Sequence, residues 1–141
     1  MTSPITPVPN GTVTSAKGFS AGGIFAGIKT PGIDKKDIGI LFSKHPCAVA
    51  GTFTQNSVVS PTVTLDKERV GPDKQIHAVI VNSGCANTAV GEQGMIDAKE
   101  MTDLASAHLG VTSEQTLVSS TGVIGVEIPM ALMREYIPQI D

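Results

Sequence analysis

The sequence of 141 residues contains no tryptophan, one tyrosine and four phenylalanines, so aromatic side chains supply little of any core. The core must instead be built from Val, Ile, Leu, Ala and Met, within an apolar fraction of 40%. Long apolar runs and clusters of Lys or Arg are also missing, and the net charge is −3. These absences argue against a membrane-spanning helix and a nucleic-acid-binding surface. Small-molecule chemistry or protein association is the favoured class of function.

Signals for metal binding, redox chemistry and secretion are equally scarce. The two cysteines, Cys47 and Cys85, match no metal or redox spacing, and the N-terminal segment lacks the apolar core of a secretory signal. We interpret Cys47 and Cys85 as reduced thiols of a cytoplasmic protein, and a disulfide between them is the less favoured alternative. The histidines have no ligand partner at metal-site spacing, and we predict neither a metal nor an organic cofactor. They are His45, His77 and His108.

Pro, Thr and Ser dominate the first residues, which predicts a flexible arm over 1–12 and a single domain over 13–141. Patterns of apolar residues predict strands further along, at 18–29, 37–43, 47–54, 62–66, 76–81 and 116–119. The run 76–81 is apolar apart from His77, which is typical of a central strand covered on both faces.

An apolar stripe at helical spacing predicts a helix from about Glu92 to Leu109, ended by Gly110. Pro129 suits the first turn of a second helix, from Met130 to Tyr136. Strands followed by strand–helix alternation predict the α+β class, with a mixed β-sheet sandwich covered by helices. Two helices are thin cover for five or six strands, so we expect a partner or further chain to complete the core.

The segment "GGIFAGIKT" comes near to a phosphate-binding loop but departs from it. Ile28 separates Gly27 from Lys29, and Pro31 follows at once where a helix would have to continue. A bent strand is the favoured interpretation.

Two glycine segments, "NSGCAN" and "SSTGVIG", follow neighbouring apolar strands, and the first opens a loop predicted from Asn82 to about Gly91. Ligands collect at the carboxyl ends of strands in sheets with helical cover. An unshielded glycine amide beside a threonine hydroxyl offers two donors to a developing oxyanion, but the segments contain no activated nucleophile. Cys85 would be a nucleophile only with a histidine beside it. Alternatively, Gly84 and Gly122 simply permit positive φ in tight turns.

Three segments in register, "VAGTFTQN", "AVIVNSGCANTAVGEQGMIDA" and "VSSTGVIGVEIPM", resemble the ornithine acetyltransferase family, also called glutamate N-acetyltransferases. The resemblance runs from Gly18 to Tyr136. It implies an N-terminal-nucleophile-type fold and a precursor that cleaves itself before a threonine into α and β chains. That threonine, the first residue of the β chain, takes acetyl from N-acetylornithine and passes it to glutamate in arginine biosynthesis. The family expectation is an α2β2 heterotetramer, and some members also use acetyl-CoA as donor.

The resemblance assigns the oxyanion hole to Thr121 and Gly122. This sequence ends before the later α-chain segment and the cleavage junction of the family, so it is either a fragment or an α chain cut unusually early. The family loop usually has Asn where Cys85 stands, and we predict that Asn82, Cys85 and Asn87 shape the loop. Two other functions stay open: a non-catalytic domain that binds an anionic metabolite, and an amide hydrolase of the same fold.

Overall fold

Four strands form one mixed sheet in residues 6–30 and 32–141, the part of the chain that the computed structural model describes. In their spatial order, the strands are β1 (Phe19–Ile24), β2 (Ile38–Ala48), β3 (Gln75–Cys85) and β4 (Thr116–Val123). The first three are mutually antiparallel, whereas β3 and β4 are parallel. The α-helices are α1 (Pro61–Arg69), α2 (Gln93–Leu109) and α3 (Met130–Tyr136), with short 3₁₀ turns at Ser113–Gln115 and Ile137–Gln139.

The core lies between the helices and one face of the sheet. Alternate strand residues reach it, and these are Ile38, Ile40, Ile80 and Val118. Residues of the opposite face, such as Leu41, Val79 and Leu117, are only half-buried. We call this the helix-free face, because no helix of the described residues covers it. The apolar run in β3 is therefore covered on one face only within this part of the chain.

The predicted α+β class and mixed sheet are confirmed, as are both predicted helices. Along α2, Ala98, Met101 and Ala105 are fully buried on one stripe, as the spacing indicates. Gly110 ends the helix with a φ of 71°, in the left-handed conformation that favours glycine.

The strand predicted at 62–66 is wrong, because this segment lies in α1. The Ser60 side chain accepts a hydrogen bond from the Thr62 N–H, and Pro61 occupies the first helical turn. Thr62 and Leu65, three residues apart, are the buried positions of this helix. Alternation of apolar and polar residues over only five positions is weaker evidence than a helix-capping motif. The pair Ser60–Pro61 was the capping motif that the strand prediction overlooked.

The separate strand predicted at 47–54 is also wrong, since Cys47 and Ala48 end β2 and residues 49–54 are not in a strand. The pairing of β2 with β3 shifts between Phe42 and Cys47, around Pro46, which has no N–H to donate. β3 itself extends to Cys85, so the loop that follows is shorter than predicted. The described chain thus has four strands and three α-helices, where five or six strands and two helices were predicted.

The N-terminal arm is only partly described, since residues 1–5 lie outside the described residues. Residues 6–12 are exposed and form no helix or strand, and the boundary between 1–12 and 13–141 stays a prediction. In the described part of the chain, no helix has the length and apolar character needed to cross a bilayer.

Helix α1 occupies part of the outer edge of β4, which has no strand beyond it in the described chain. The Asp66 carboxylate accepts a hydrogen bond from the Val118 N–H at 3.0 Å, and Arg69 donates to the Thr116 carbonyl at 2.7 Å. Burial raises the pKa of Asp66 to about 6, although the Val118 N–H and the Arg69 charge act in the opposite direction.

We expect Asp66 to make stability depend on pH. Between the ordinary pKa of 3.8 and the folded value of about 6, the folded carboxyl keeps a proton that the unfolded chain has released. The contribution of Asp66 to the free energy of unfolding therefore decreases as pH rises through this window. Asp66→Asn removes this contribution and keeps an oxygen for the Val118 N–H. Urea unfolding midpoints measured between pH 4 and pH 6 report the contribution of Asp66 to stability, and Asp73→Asn, at an exposed position, is the control. Parallel pH profiles for wild type and Asp66→Asn would contradict the raised pKa of Asp66.

Candidate active site

The two glycine segments singled out in the sequence lie side by side, because β3 and β4 run parallel and end at the same edge of the sheet. Ser83 is paired with Thr121, and Gly84 with Gly122. Beyond the strands, the Val123 carbonyl accepts a hydrogen bond from the Ala86 N–H at 2.9 Å. Thr121 and Gly122 thus lie at the carboxyl end of β4, beside the carboxyl end of β3. Ligands commonly bind at such an edge of a sheet.

Gly84 and Gly122 have positive φ angles of 123° and 134° and approach each other closely. A Cβ added to Gly122 would overlap the carbonyl group of Gly84 and lie 2.7 Å from the Cys85 nitrogen. The prediction that Gly84 and Gly122 permit positive φ is confirmed, so each glycine has a conformational reason to be present. This requirement leaves the catalytic assignment open, since the same bare amide can also serve a ligand.

The alternation of backbone groups along β4 places the Gly122 amide on the outer edge of the strand. The Val118 N–H points away from β3 and donates to Asp66, so the N–H groups two and four residues further on lie on the same side. The Thr121 side chain lies on the helix-free face, beside that of Ser83. Thr121 and Gly122 are both exposed. Their hydroxyl and amide are therefore open to a ligand that approaches from outside the helical layer.

An open cleft of about 370 Å³ lies over these residues. Its lining combines three hydroxyl side chains, two glycines, one lysine and one valine: Lys29, Thr30, Ser83, Gly84, Thr121, Gly122 and Val123. The volume is in the range of small-molecule sites and would admit an amino-acid derivative.

The wall of the cleft formed by Lys29 and Thr30 is held in place by Asp37, which does not itself line the cleft and which the sequence reasoning missed. Its buried carboxylate accepts hydrogen bonds from three backbone N–H groups, those of Ala26 (2.8 Å), Ile28 (2.6 Å) and Lys29 (3.1 Å). The Asp37 carbonyl in turn accepts the Ser83 N–H at 2.8 Å. The segment that resembles a phosphate-binding loop therefore does donate its backbone amides to a carboxylate, but that carboxylate belongs to Asp37 of this chain and not to a ligand. This agrees with the bent-strand interpretation.

Asn82 and Asn87 shape the segment between β3 and α2, as predicted. The Asn82 side chain, fully buried, donates to the Cys85 carbonyl at 3.0 Å. Asn87 adopts a φ of 50°, and its side chain donates to the Gly94 carbonyl at 2.8 Å. These bonds fix the path of the chain from the cleft to the start of α2.

The other candidates from the sequence gain no support as reactive groups. Cys47 and Cys85 are free thiols, and burial raises the pKa of the Cys85 thiol, which disfavours the nucleophilic thiolate. His77 and His108 bond to backbone carbonyls, those of Ser43 and Ile140. Within residues 6–30 and 32–141, no group of three His, Cys, Asp or Glu side chains could hold a metal ion.

Comparison with known proteins gives a consistent result. The sequence profile of the ArgJ family matches residues 20–141. The arginine biosynthesis bifunctional protein ArgJ of Dehalococcoides mccartyi is 40% identical over 137 residues, which cover 97% of this chain and 34% of that protein. The protein of the same name from Symbiobacterium thermophilum is 48% identical over 120 residues, which cover 85% of this chain and 30% of that protein. The chain therefore spans about a third of the length of these curated relatives.

Two solved structures share the fold. The ArgJ protein of Bacillus halodurans superimposes with a TM-score of 0.87 at 36% identity, covering 94% of this chain and 68% of that one. The ornithine acetyltransferase of Mycobacterium tuberculosis, crystallised in complex with ornithine, gives a TM-score of 0.84 at 32% identity, covering 91% and 68%. These similarities confirm the N-terminal-nucleophile-type fold predicted from the sequence.

Proposed function

This chain belongs to the ArgJ family, and from that membership we propose that it forms the N-terminal part of the α chain of an acetyltransferase. The enzyme transfers acetyl from N2-acetylornithine to glutamate in the cytoplasm, within arginine biosynthesis. Support comes from the relatives, which are named bifunctional arginine-biosynthesis proteins, and from the structural neighbour, an ornithine acetyltransferase complexed with ornithine. The reaction as proposed requires no metal or organic cofactor.

The arrangement of Thr121 and Gly122 at an open cleft carries the proposal. A hydroxyl and an unshielded amide there can donate to the oxygen of a carbonyl under attack. The cleft lining includes three hydroxyl side chains but, among the described residues, neither a histidine nor a carboxylate that could activate them. The chain thus supplies an oxyanion hole, and the attacking group comes from the N-terminal threonine of a β chain.

The chemistry then proceeds in two matched halves. The threonine hydroxyl of the β chain, deprotonated by its own α-amine, attacks the acetyl carbonyl of N-acetylornithine. The resulting oxyanion is stabilised by Thr121 and Gly122, and its collapse releases ornithine with the proton on the leaving amine. The amine of glutamate then attacks the acetyl-threonine, and the same two donors stabilise the second oxyanion.

Exposed apolar surface beside the cleft supports a partner at this place. Val123, Ile124 and Val126 follow Gly122 directly and are 59%, 63% and 47% exposed. By the alternation along β4, Val123 lies on the helix-free face. Several large apolar side chains exposed together in this way indicate an interface. We assign it to the β chain and the remainder of the α chain, in an α2β2 assembly.

Intact-mass measurement and N-terminal sequencing of the purified full-length protein test this function. We expect two chains, the second beginning with threonine. That chain should gain the mass of one acetyl group from N-acetylornithine and lose it to glutamate. Release of free acetate without any need for glutamate would instead support the amide hydrolase. A stable single chain that binds an anionic metabolite without cleavage would support the non-catalytic domain.

A further inference from the structure

We propose that Ser120 and Asn82 are positioning residues, joined by a hydrogen-bonded link from the Ser120 hydroxyl to Asn82 Oδ1 that sets the place of Thr121 and Gly122. The link lies on the helix-covered face of the sheet, behind the cleft, and contacts no substrate. This inference rests on the proposed function, in which turnover depends on where the hydroxyl of Thr121 and the amide of Gly122 are held.

Two buried oxygens that lack partners lie on neighbouring strands. Asn82 is directly opposite Ser120 in the parallel ladder of β3 and β4, and neighbouring strands are about 4.8 Å apart. By the alternation along each strand, both side chains lie on the same face as Ile80 and Val118, under the helices. Asn82 Oδ1 and Ser120 Oγ are buried, and neither has a hydrogen-bond partner in the described chain.

The hydrogen-bonding capacities of these two groups are complementary. The Cys85 carbonyl can only accept, so Asn82 turns its Nδ2 toward that carbonyl, at 3.0 Å, and Oδ1 remains as an acceptor. The Ser120 hydroxyl is a donor that can rotate. An unpaired polar atom in the interior is destabilising because it has lost its hydrogen bonds to water. Rotation about the Ser120 Cα–Cβ bond, or one internal water, closes the link and satisfies both groups.

Through this link, Asn82 holds both of the segments that form the site. Its Nδ2 holds the Cys85 carbonyl, and the backbone of Gly84 and Cys85 is the surface against which Gly122 packs. Its Oδ1 holds Ser120, which directly precedes the two oxyanion donors. One planar amide therefore sets the position of the end of β4 relative to the end of β3.

The end of β4 depends on such an anchor because the outer edge of this strand is only partly held. Side chains of α1 bond to that edge at Thr116 and Val118. In the described chain, α1 makes no such bond further along the strand, at Ser120 or Gly122. Beyond Val118, contacts with β3 hold the strand in place, and the Ser120 side chain supplies one of them.

Thr116 provides a matched control on the same strand. Its hydroxyl is also buried and without a partner in the described chain, but the residue opposite is Ala78, which has no acceptor on its side chain. Thr116→Val should raise the urea midpoint of unfolding or leave it unchanged, because it removes a buried group that has no partner. Ser120→Ala should lower the urea midpoint, because it leaves Asn82 Oδ1 without a donor.

Steady-state kinetics of the full-length, self-cleaved enzyme test the positioning role. We expect Ser120→Ala to lower kcat about tenfold or more, because misplaced oxyanion donors stabilise the transition state less. KM for N-acetylornithine and glutamate should change less than about threefold, since neither positioning residue contacts substrate. Thr116→Val should keep the wild-type kcat. In an Asn82→Ala background, Ser120→Ala should add little to the loss of kcat, because the link is already broken.

Three outcomes would overturn the inference. They are a urea midpoint that rises in Ser120→Ala as in Thr116→Val, an unchanged kcat in Ser120→Ala, and full additivity of the Asn82 and Ser120 substitutions in kcat. A wild type without acetyl transfer would instead overturn the proposed function. The urea midpoints need no substrate, so they test the link between Asn82 and Ser120 in that case as well.

Discussion

Replacing Thr121 with alanine is expected to lower the turnover of the assembled enzyme by about 10²–10³-fold while the fold survives. The hydroxyl lies on the helix-free face at the cleft, and in the proposed mechanism its deletion removes one of two donors to both tetrahedral oxyanions. The side chain is exposed, so its loss opens no cavity in the core. Because the donor acts in the transition state, kcat should decrease more than KM increases.

Two matched variants define this result. Thr121→Ser keeps the hydroxyl and should retain most of the activity. Ser119→Ala removes an exposed hydroxyl from the same face of β4, two residues earlier and outside the cleft lining, and should change little. The measurements are steady-state kinetics for both half-reactions, with thermal unfolding as the check on folding. Unchanged turnover in Thr121→Ala with normal folding would refute the oxyanion role.

Gly122→Ala is expected to destabilise the end of the β3–β4 pair by about 3 kcal/mol or more. Two costs add: a φ of 134° that an L-residue rarely adopts, and a Cβ that would overlap the Gly84 carbonyl. Neither collision partner is the end of a flexible side chain, since both are backbone atoms of β3. Relief would require the strands to separate at the cleft, and activity should be lost with the local structure.

Gly125→Ala is the matched control for that variant. Gly125 also has a positive φ, of 78°, but nothing lies within 4 Å of an added Cβ. It should therefore incur only the conformational cost, about 1–2 kcal/mol. Chemical denaturation of both variants measures the difference, which isolates the close approach of the two strands. If Gly122→Ala and Gly125→Ala destabilise the protein equally, the close contact between position 122 and the Gly84 backbone does not contribute to the destabilisation.

The two predictions probe different properties of one dipeptide. At Gly122, the proposed role of the bare amide and the close approach of the strands coincide, so a substitution there changes both. Thr121 bears no such packing constraint, so its variants report on chemistry. Kinetic effects at Thr121 and stability effects at Gly122 together separate the catalytic interpretation from the conformational one.

Local patterns in the sequence were sufficient for the elements whose signals are long or chemically explicit. The stripe from Met95 to Leu109 predicted α2, and Gly110 its end. The five-residue alternation at 62–66 failed, because a capped helix with Thr62 and Leu65 buried produces the same short pattern as a strand. Periodicity needs several turns before it distinguishes the two.

The sequence alone therefore determined the fold class, the helices α2 and α3 and the family, and it singled out the Thr121–Gly122 dipeptide, because these conclusions rest on patterns within short continuous segments. Only the tertiary structure decided what surrounds that motif. The contact of Gly84 with Gly122 and the hold of Asp37 on the Lys29 loop join residues that are distant along the chain or lie on different strands. Strand pairing is set by which apolar faces pack together, and neither register nor the direction of a buried carboxylate can be read from local spacing.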